Sequence, residues 1–191
     1  MQLIFATNNK NKLAEVQKMV SNIELKTLAE INCTEDIPET DPTIAGNAIQ
    51  KADYVTQNYR VDCFADDTGL EIEALNGEPG VYSARYAGPE NNAEANMNLV
   101  LKNLQQHSNK KARFVTVIAL NLNGKQYTFE GICKGEIINQ KRGEKGFGYD
   151  PIFVPEGFTK TFAEMTQAEK ASVSHRGKAV RKLVTFLNNL S

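Results

Sequence analysis

The chain has 191 residues, 41 % hydrophobic and 24 % charged, with a net charge of −1. That balance fits one soluble globular domain and excludes a disordered, collagen-like or coiled-coil chain. A chain of this length buries roughly 70 % of its unfolded surface, so it needs no disulfide or structural metal to fold.

Gln2–Ala6 is a short apolar run and reads as a buried strand. Asn9 or a neighbour caps a first helix, with Leu13, Val16 and Val20 on its inner face. Ile23, Leu25 and Thr27 alternate with Glu24 and Lys26, which predicts a second strand. Residues 29–42 form an acidic loop containing Pro38 and Pro42. Ile44, Ala48, Ala52 and Val55 fall at helical spacing, so a second helix runs to about Tyr59. Val61–Ala65 reads as a strand ending in Asp66-Asp67-Thr68-Gly69. Leu70, Ile72 and Ala74 then alternate with Glu71 and Glu73 until Asn76-Gly77 turns the chain. Asn92–Gln106 is a helix with Met97, Val100, Leu101 and Leu104 inward. Arg113–Leu122 is a long strand, Asn123-Gly124 a hairpin turn, and Tyr127–Ile138 the returning strand. Residues 143–151 are irregular and glycine-rich. Ser174 caps a last helix whose face is Val180, Leu183, Val184, Leu187 and Leu190. The order is mixed α/β in a single domain, with βα units first and a long hairpin later.

Several classes of function fall away. No apolar run approaches the ~20 residues of a membrane span. The start, MQLIFATNNK, lacks the pattern of a secretory leader. Cys33, Cys63 and Cys133 stand far apart, which argues against a disulfide scaffold or a cysteine zinc site and for a reducing compartment such as the cytoplasm. Two histidines are too few for a histidine-rich metal site. The chain is not basic, so nucleic acid is not expected as a partner. Its charge is nevertheless uneven, −9 over residues 1–95 and +8 over 96–191. Either the two halves of the fold attract each other, or one brings carboxylates for a metal and the other cations for an anionic ligand.

Four clusters can carry chemistry. Thr7-Asn8-Asn9-Lys10-Asn11-Lys12 lies where a strand gives way to a helix, and such a turn offers backbone N–H groups and a helix dipole to a polyphosphate. It reads equally as an ordinary polar helix cap. Asp66-Asp67 places two carboxylates together, which favours a cation. Oxygen ligands without His or Cys suit Mg²⁺. Glu39 of the acidic loop is a further carboxylate, and the bland alternative is an acidic turn. Phe147-Gly148-Tyr149-Asp150-Pro151 offers aromatics for a stacked ring and a carboxylate for a ring N–H, or is a turn whose aromatics cover core. Lys170, His175 and Arg176 bring three donors to a helix start. Arg176 in the first turn runs against the dipole's preference for anions, which points to a ligand or an acidic partner.

These clusters match one family in type and order. ATNNKNKLAEV, FADDTGLEIEALNGEPGVYSARYAG, GFGYDPIFVPEGF and EKASVSHRGKA together resemble the inosine triphosphate pyrophosphatases across essentially the whole chain. The resemblance implies an elongated mixed sheet with helices in two lobes, a nucleotide cleft between them, and a homodimer. It implies Asp67 as catalytic carboxylate and Mg²⁺ ligand, with Glu39 as second metal partner. Thr7 to Lys12 would hold the triphosphate and Thr68 would sit against the substrate. Phe147, Gly148, Tyr149, Asp150, Lys170, His175 and Arg176 would bind the purine. The implied reaction releases pyrophosphate and a monophosphate from inosine or xanthosine triphosphate. Donors from His175 and Arg176 would favour a 6-oxo purine over adenine. Two rivals are a pyrophosphatase for other modified nucleotides and a nucleotide-binding protein without turnover. The chain departs from the family at Asn8 and Asn11, where glycine is common, and at Gly46, where many members have Glu.

Overall fold

The computed structural model of the protein describes residues 2–20 and 23–190. Seven strands form one mixed sheet in the order β2-β1-β3-β5-β6-β7, with β4 pairing β3. They are β1 (Gln2–Phe5), β2 (Glu24–Lys26), β3 (Cys63–Ile72), β4 (Pro79–Gly80), β5 (Lys111–Leu122), β6 (Lys125–Ile137) and β7 (Phe153–Pro155). The helices are α1 (Lys10–Gln17), α2 (Ile44–Tyr59), α3 (Ala93–Asn103), α4 (Gln167–Val173) and α5 (His175–Asn188). The parallel pairs β1·β2 and β1·β3 need crossovers, and α1 and α2 supply them. The β5–β6 turn places Asn123 (φ 51°) and Gly124 (φ 73°) in the left-handed region, as a type I′ hairpin requires.

The chain divides into two compact units. One takes the chain up to Asp67, Thr116–Gly131 and everything from Arg176 onward; the other takes Thr68–Val115 and Ile132–His175. Strands β3, β5 and β6 give a stretch to each. The first unit packs Leu3, Phe5, Val16, Phe64, Ile118, Leu120, Val180, Leu183 and Leu187, with Phe5 stacked on Phe64 at 4.5 Å between ring centroids. The second packs Leu70, Ile72, Met97, Val100, Leu104, Phe114, Phe153 and Phe162. Apolar residues spaced for one inner stripe on α2 and α5 explain why those helices settle on the sheet.

The structure corrects three readings. The strand from Cys63 does not stop at Asp66: β3 continues through Asp67, Thr68 and Gly69 to Ile72. Thr68-Gly69 has turn composition, but pairing to β1 on one stretch and to β4 on the other holds it extended. A separate helix, α4, precedes the last one; Thr166 and Glu169 form a capping box at its start, and Ser174 closes it. Leu190 is exposed rather than on the buried face of the last helix.

Candidate functional site

The loop between β1 and α1 folds on itself. The Asn9 side chain accepts from the backbone N–H of Asn11 (3.0 Å) and Lys12 (3.2 Å), and Thr7 Oγ1 accepts from that of Asn9 (3.1 Å). Three N–H groups expected to face a phosphate are therefore capped internally. Asn8, Lys10 and Asn11 are exposed. Neither Asn8 nor Asn11 has positive φ, so asparagine in place of glycine costs no backbone strain here.

Because β3 is continuous, Asp66 and Asp67 point to opposite faces of the strand. They meet different partners instead of sharing one cation. Asp66 is fully buried; Lys12 Nζ donates to its Oδ1 at 3.1 Å and Arg176 Nε to its Oδ2 at 3.2 Å. Arg176 also donates to Glu15. Burial alone would raise the Asp66 pKa, but Lys12, Arg176 and Lys51 outweigh it and hold the carboxyl well below its ordinary range. Burial likewise pulls Lys12 down, and Asp66 restores only part of that against the nearby Lys51 and Arg176. For Arg176, burial opposes the charge, yet Asp66 and Glu15 raise its pKa.

Asp67 has the reverse character. Burial raises its pKa, Glu39 and Asp66 add to the rise, and Lys51 and Lys12 offset only part. Its Oδ2 is buried with no hydrogen-bond partner among the described residues. Lys51 Nζ lies 2.7 Å from Glu39 Oε1 and 3.7 Å from Asp67 Oδ1. Burial works against the ammonium, but Asp67, Glu39 and Asp66 together raise its pKa. Lys51 was missed in the sequence. Its signal was present: a lysine at 51 falls on the stripe 44, 48, 51, 55 that buries the rest of α2, and a buried lysine needs carboxylates.

Among the described residues no group of three or more His, Cys, Asp and Glu gathers closely enough to cage a metal ion. Mg²⁺ does not need such a cage. It keeps several waters and takes one or two carboxylates together with substrate phosphates. Asp67 and Glu39 supply hard oxygens, already hold one positive charge between them, and leave one carboxylate oxygen unpaired. That donor set fits Mg²⁺.

In the second unit Asp150 is buried and committed. Its Oδ2 accepts from Phe147 N at 2.9 Å and Lys170 Nζ at 2.7 Å. The expected open acceptor for a ring N–H is instead the hub of the loop. Gly146 is required there: its φ is +75°, and a Cβ would overlap the Asp150 carboxylate. Lys170 Nζ sits 4.8 Å from the centre of the half-buried Phe147 ring. Tyr149 does not wall a slot. It belongs to the core, donates to Ser83 O at 2.6 Å, and burial drives its pKa well up. Gly148 and Thr68 are half-exposed.

The three donors expected to converge each have a different partner. Lys170 is in α4 against Asp150; His175, buried, stacks on Phe114 at 4.5 Å; Arg176 joins Asp66 and Glu15. Consecutive helical side chains diverge by about 100°, which separates 175 from 176. The acidic partner that the position of Arg176 called for is thus present within the chain.

Fold and charged clusters together define a mixed α/β protein that gathers cations around two carboxylates of its central strand β3 and leaves one buried carboxylate oxygen without a hydrogen-bond partner among the described residues. The chain belongs to the Ham1 family, whose model matches residues 3–186. It is 62 % identical over 188 residues to a dITP/XTP pyrophosphatase of Flavobacterium johnsoniae, covering 98 % of each chain. It is 50 % identical to one of Porphyromonas gingivalis, covering 97 % of each. Among solved structures it resembles the Ham1 protein of Staphylococcus aureus, with a TM-score of 0.92, 36 % identity and full coverage of both chains.

Proposed function

We propose that the chain hydrolyses the triphosphate of deaminated purine nucleotides, those of inosine, deoxyinosine and xanthosine, to the monophosphate and pyrophosphate. The observation that carries this reading is Asp67: a buried carboxylate of raised pKa with one unpaired oxygen, in a chain 62 % identical to a dITP/XTP pyrophosphatase. Asp67 and Glu39 would hold Mg²⁺. When bound, the ion neutralises phosphate charge and acidifies a water ligand. Asp67 orients the attacking water and accepts its proton. Lys12 and Lys51 bring fixed positive charge to the phosphates. The exposed side chains of Asn8, Lys10 and Asn11 offer donors to the leaving pyrophosphate. In the second unit Phe147, backed by Lys170, is a face on which a flat ring can stack, and Asp150 holds both in place.

The test is ³¹P NMR of inosine triphosphate turnover. Intact pyrophosphate is expected as the first product, and turnover should stop in excess chelator. Orthophosphate released first, or an undiminished rate in chelator, refutes the assignment. Parallel runs with adenosine triphosphate and with modified pyrimidine nucleotides should be much slower.

The same reading extends to a homodimer, supported by the sequence resemblance alone, and to a cytoplasmic setting, which suits three buried free cysteines. Among the described residues no helix is long and apolar enough to cross a membrane. Sedimentation at micromolar concentration should give about twice the 21.2 kDa chain mass; a species of single-chain mass refutes the dimer.

A further inference from the structure

The acidic segment that carries Glu39 has no regular secondary structure from Asp36 to Asp41. It is nevertheless fastened at successive points to one face of α2. Asn47 Oδ1 accepts from Asp41 N at 2.9 Å. Gln50 Oε1 accepts from Thr40 N at 2.8 Å, and its Nε2 donates to Thr40 Oγ1 at 2.9 Å. Lys51 donates to Glu39. Farther along, the hydroxyls of Tyr54 and Tyr59 both donate to Glu35 Oε1, at 3.2 and 2.7 Å. Positions 47, 50, 51 and 54 follow the i, i+3, i+4, i+7 rule for one helical face. They engage the segment in reverse order, so the chain runs back along the helix that follows it. The register is fixed at the end nearest α2: Asp41 accepts from Thr43 N (2.8 Å) and Thr43 Oγ1 (2.6 Å), and lies over Gly46, where any Cβ would overlap it.

This polar face does what a neighbouring strand would do. Two backbone N–H groups with no sheet to join, those of Thr40 and Asp41, are satisfied by side-chain amides. Gln50 is the pivotal contact, because it grips the residue next to Glu39 through both halves of its amide. A glutamate side chain 37 % exposed and held at one oxygen by Lys51 has many rotamers to lose before it can serve a cation. Fixing the backbone beside it leaves only that side-chain cost to be met when a cation binds. We propose that Gln50 is a positioning residue: by clasping Thr40 it sets Glu39 opposite Asp67 and so tunes the divalent-cation affinity of the site. The Glu35–Tyr54–Tyr59 clasp is the second anchor of the same segment. The inference rests on the reading of Glu39 and Asp67 as the cation site. Groups that hydrogen-bond a metal ligand directly typically change metal affinity about 10–100-fold when lost; Gln50 acts one residue away, through Thr40, so the effect expected is at the low end of that range.

The probe is Mn²⁺ binding to the full-length protein without nucleotide, followed by electron paramagnetic resonance, alongside the Mg²⁺ dependence of turnover and urea unfolding. Gln50→Leu keeps the side chain's size and removes both bonds. Its Mn²⁺ dissociation constant should rise about tenfold, the Mg²⁺ concentration for half-maximal rate should rise with it, and kcat at saturating Mg²⁺ should stay within threefold. A purely structural role predicts instead a lower urea midpoint with unchanged Mn²⁺ affinity, and that result overturns the proposal. If Gln50→Leu does not fold, the double variant Tyr54→Phe/Tyr59→Phe releases the second anchor without touching the site. It should move Mn²⁺ affinity in the same direction, and an unchanged affinity again overturns the proposal. Glu39→Gln separates the two levels of inference. If it abolishes Mn²⁺ binding while Gln50→Leu does not weaken it, the cation site stands and the positioning role falls; if Glu39→Gln binds Mn²⁺ as the wild type does, both fall.

Discussion

Asp67→Asn is expected to lower turnover of inosine triphosphate at least ~100-fold while leaving the protein as stable as the wild type. The loss is the typical worth of a general base, and a metal ligand is removed by the same change. The stability follows from the surroundings. Asp67 Oδ2 has no hydrogen-bond partner among the described residues, and burial together with Glu39 and Asp66 already disfavours the charge. Its nearest cation, Lys51 at 3.7 Å, has Glu39 at 2.7 Å in reserve. Asparagine keeps the volume, removes an unfavourably placed charge and leaves no cation without a carboxylate. A site held at some cost to the fold is what function often demands. Steady-state kinetics and urea unfolding on the same preparation decide the matter. A folded variant that turns over within tenfold of the wild type removes Asp67 from the mechanism.

Much of this fold is legible in the sequence because its signals are local. Asn9 does cap α1, Asn123-Gly124 does turn the long hairpin, and the apolar spacing of α2 gives its limits; the helix read from Asn92 is found as α3, one residue later, with Asn92 as its cap. What local pattern could not supply was decided by partners remote in sequence. Thr68 and Gly69 read as the end of a strand until β1 and β4 pair with the residues on either side of them. The site divides in the same way. Its residue types were visible as four clusters, but sequence adjacency suggested that neighbours share a task. Asp66 and Asp67, like His175 and Arg176, are adjacent in the chain and turned to different partners. Strand alternation and helical rotation make that the rule for neighbours. Lys51 and Glu15 were overlooked because each stands alone in a helix; only burial against carboxylates or a guanidinium gives them meaning. The charge asymmetry of the two chain halves finds one concrete expression in the Asp66–Arg176 pair.

Asp66→Asn is expected to do the opposite of Asp67→Asn, although the chemical change is identical and the positions are consecutive. Asp66 is 1 % exposed and accepts from both Lys12 and Arg176. Its carboxyl is held far below its ordinary pKa by those cations, which is the signature of a charge the folded state needs. Neutralising it leaves Lys12 without this counter-charge and Arg176 leaning on Glu15. Breaking a buried ion pair from one side typically costs about 3–5 kcal/mol, because the surviving charge stays desolvated. The partial exposure of Lys12 and the remaining Glu15 contact place this case near the lower end, about 3 kcal/mol. For a chain of this length that is a fall in Tm of roughly 6–12 °C. The cause can be isolated with a second change. Arg176→Met in the Asp66→Asn background removes the stranded guanidinium and fills its space with an unbranched apolar chain. The double variant should then be more stable in urea than the sum of the two single losses predicts. Strict additivity, or an Asp66→Asn protein with the wild-type urea midpoint, means that the network around Asp66 does not hold the fold together.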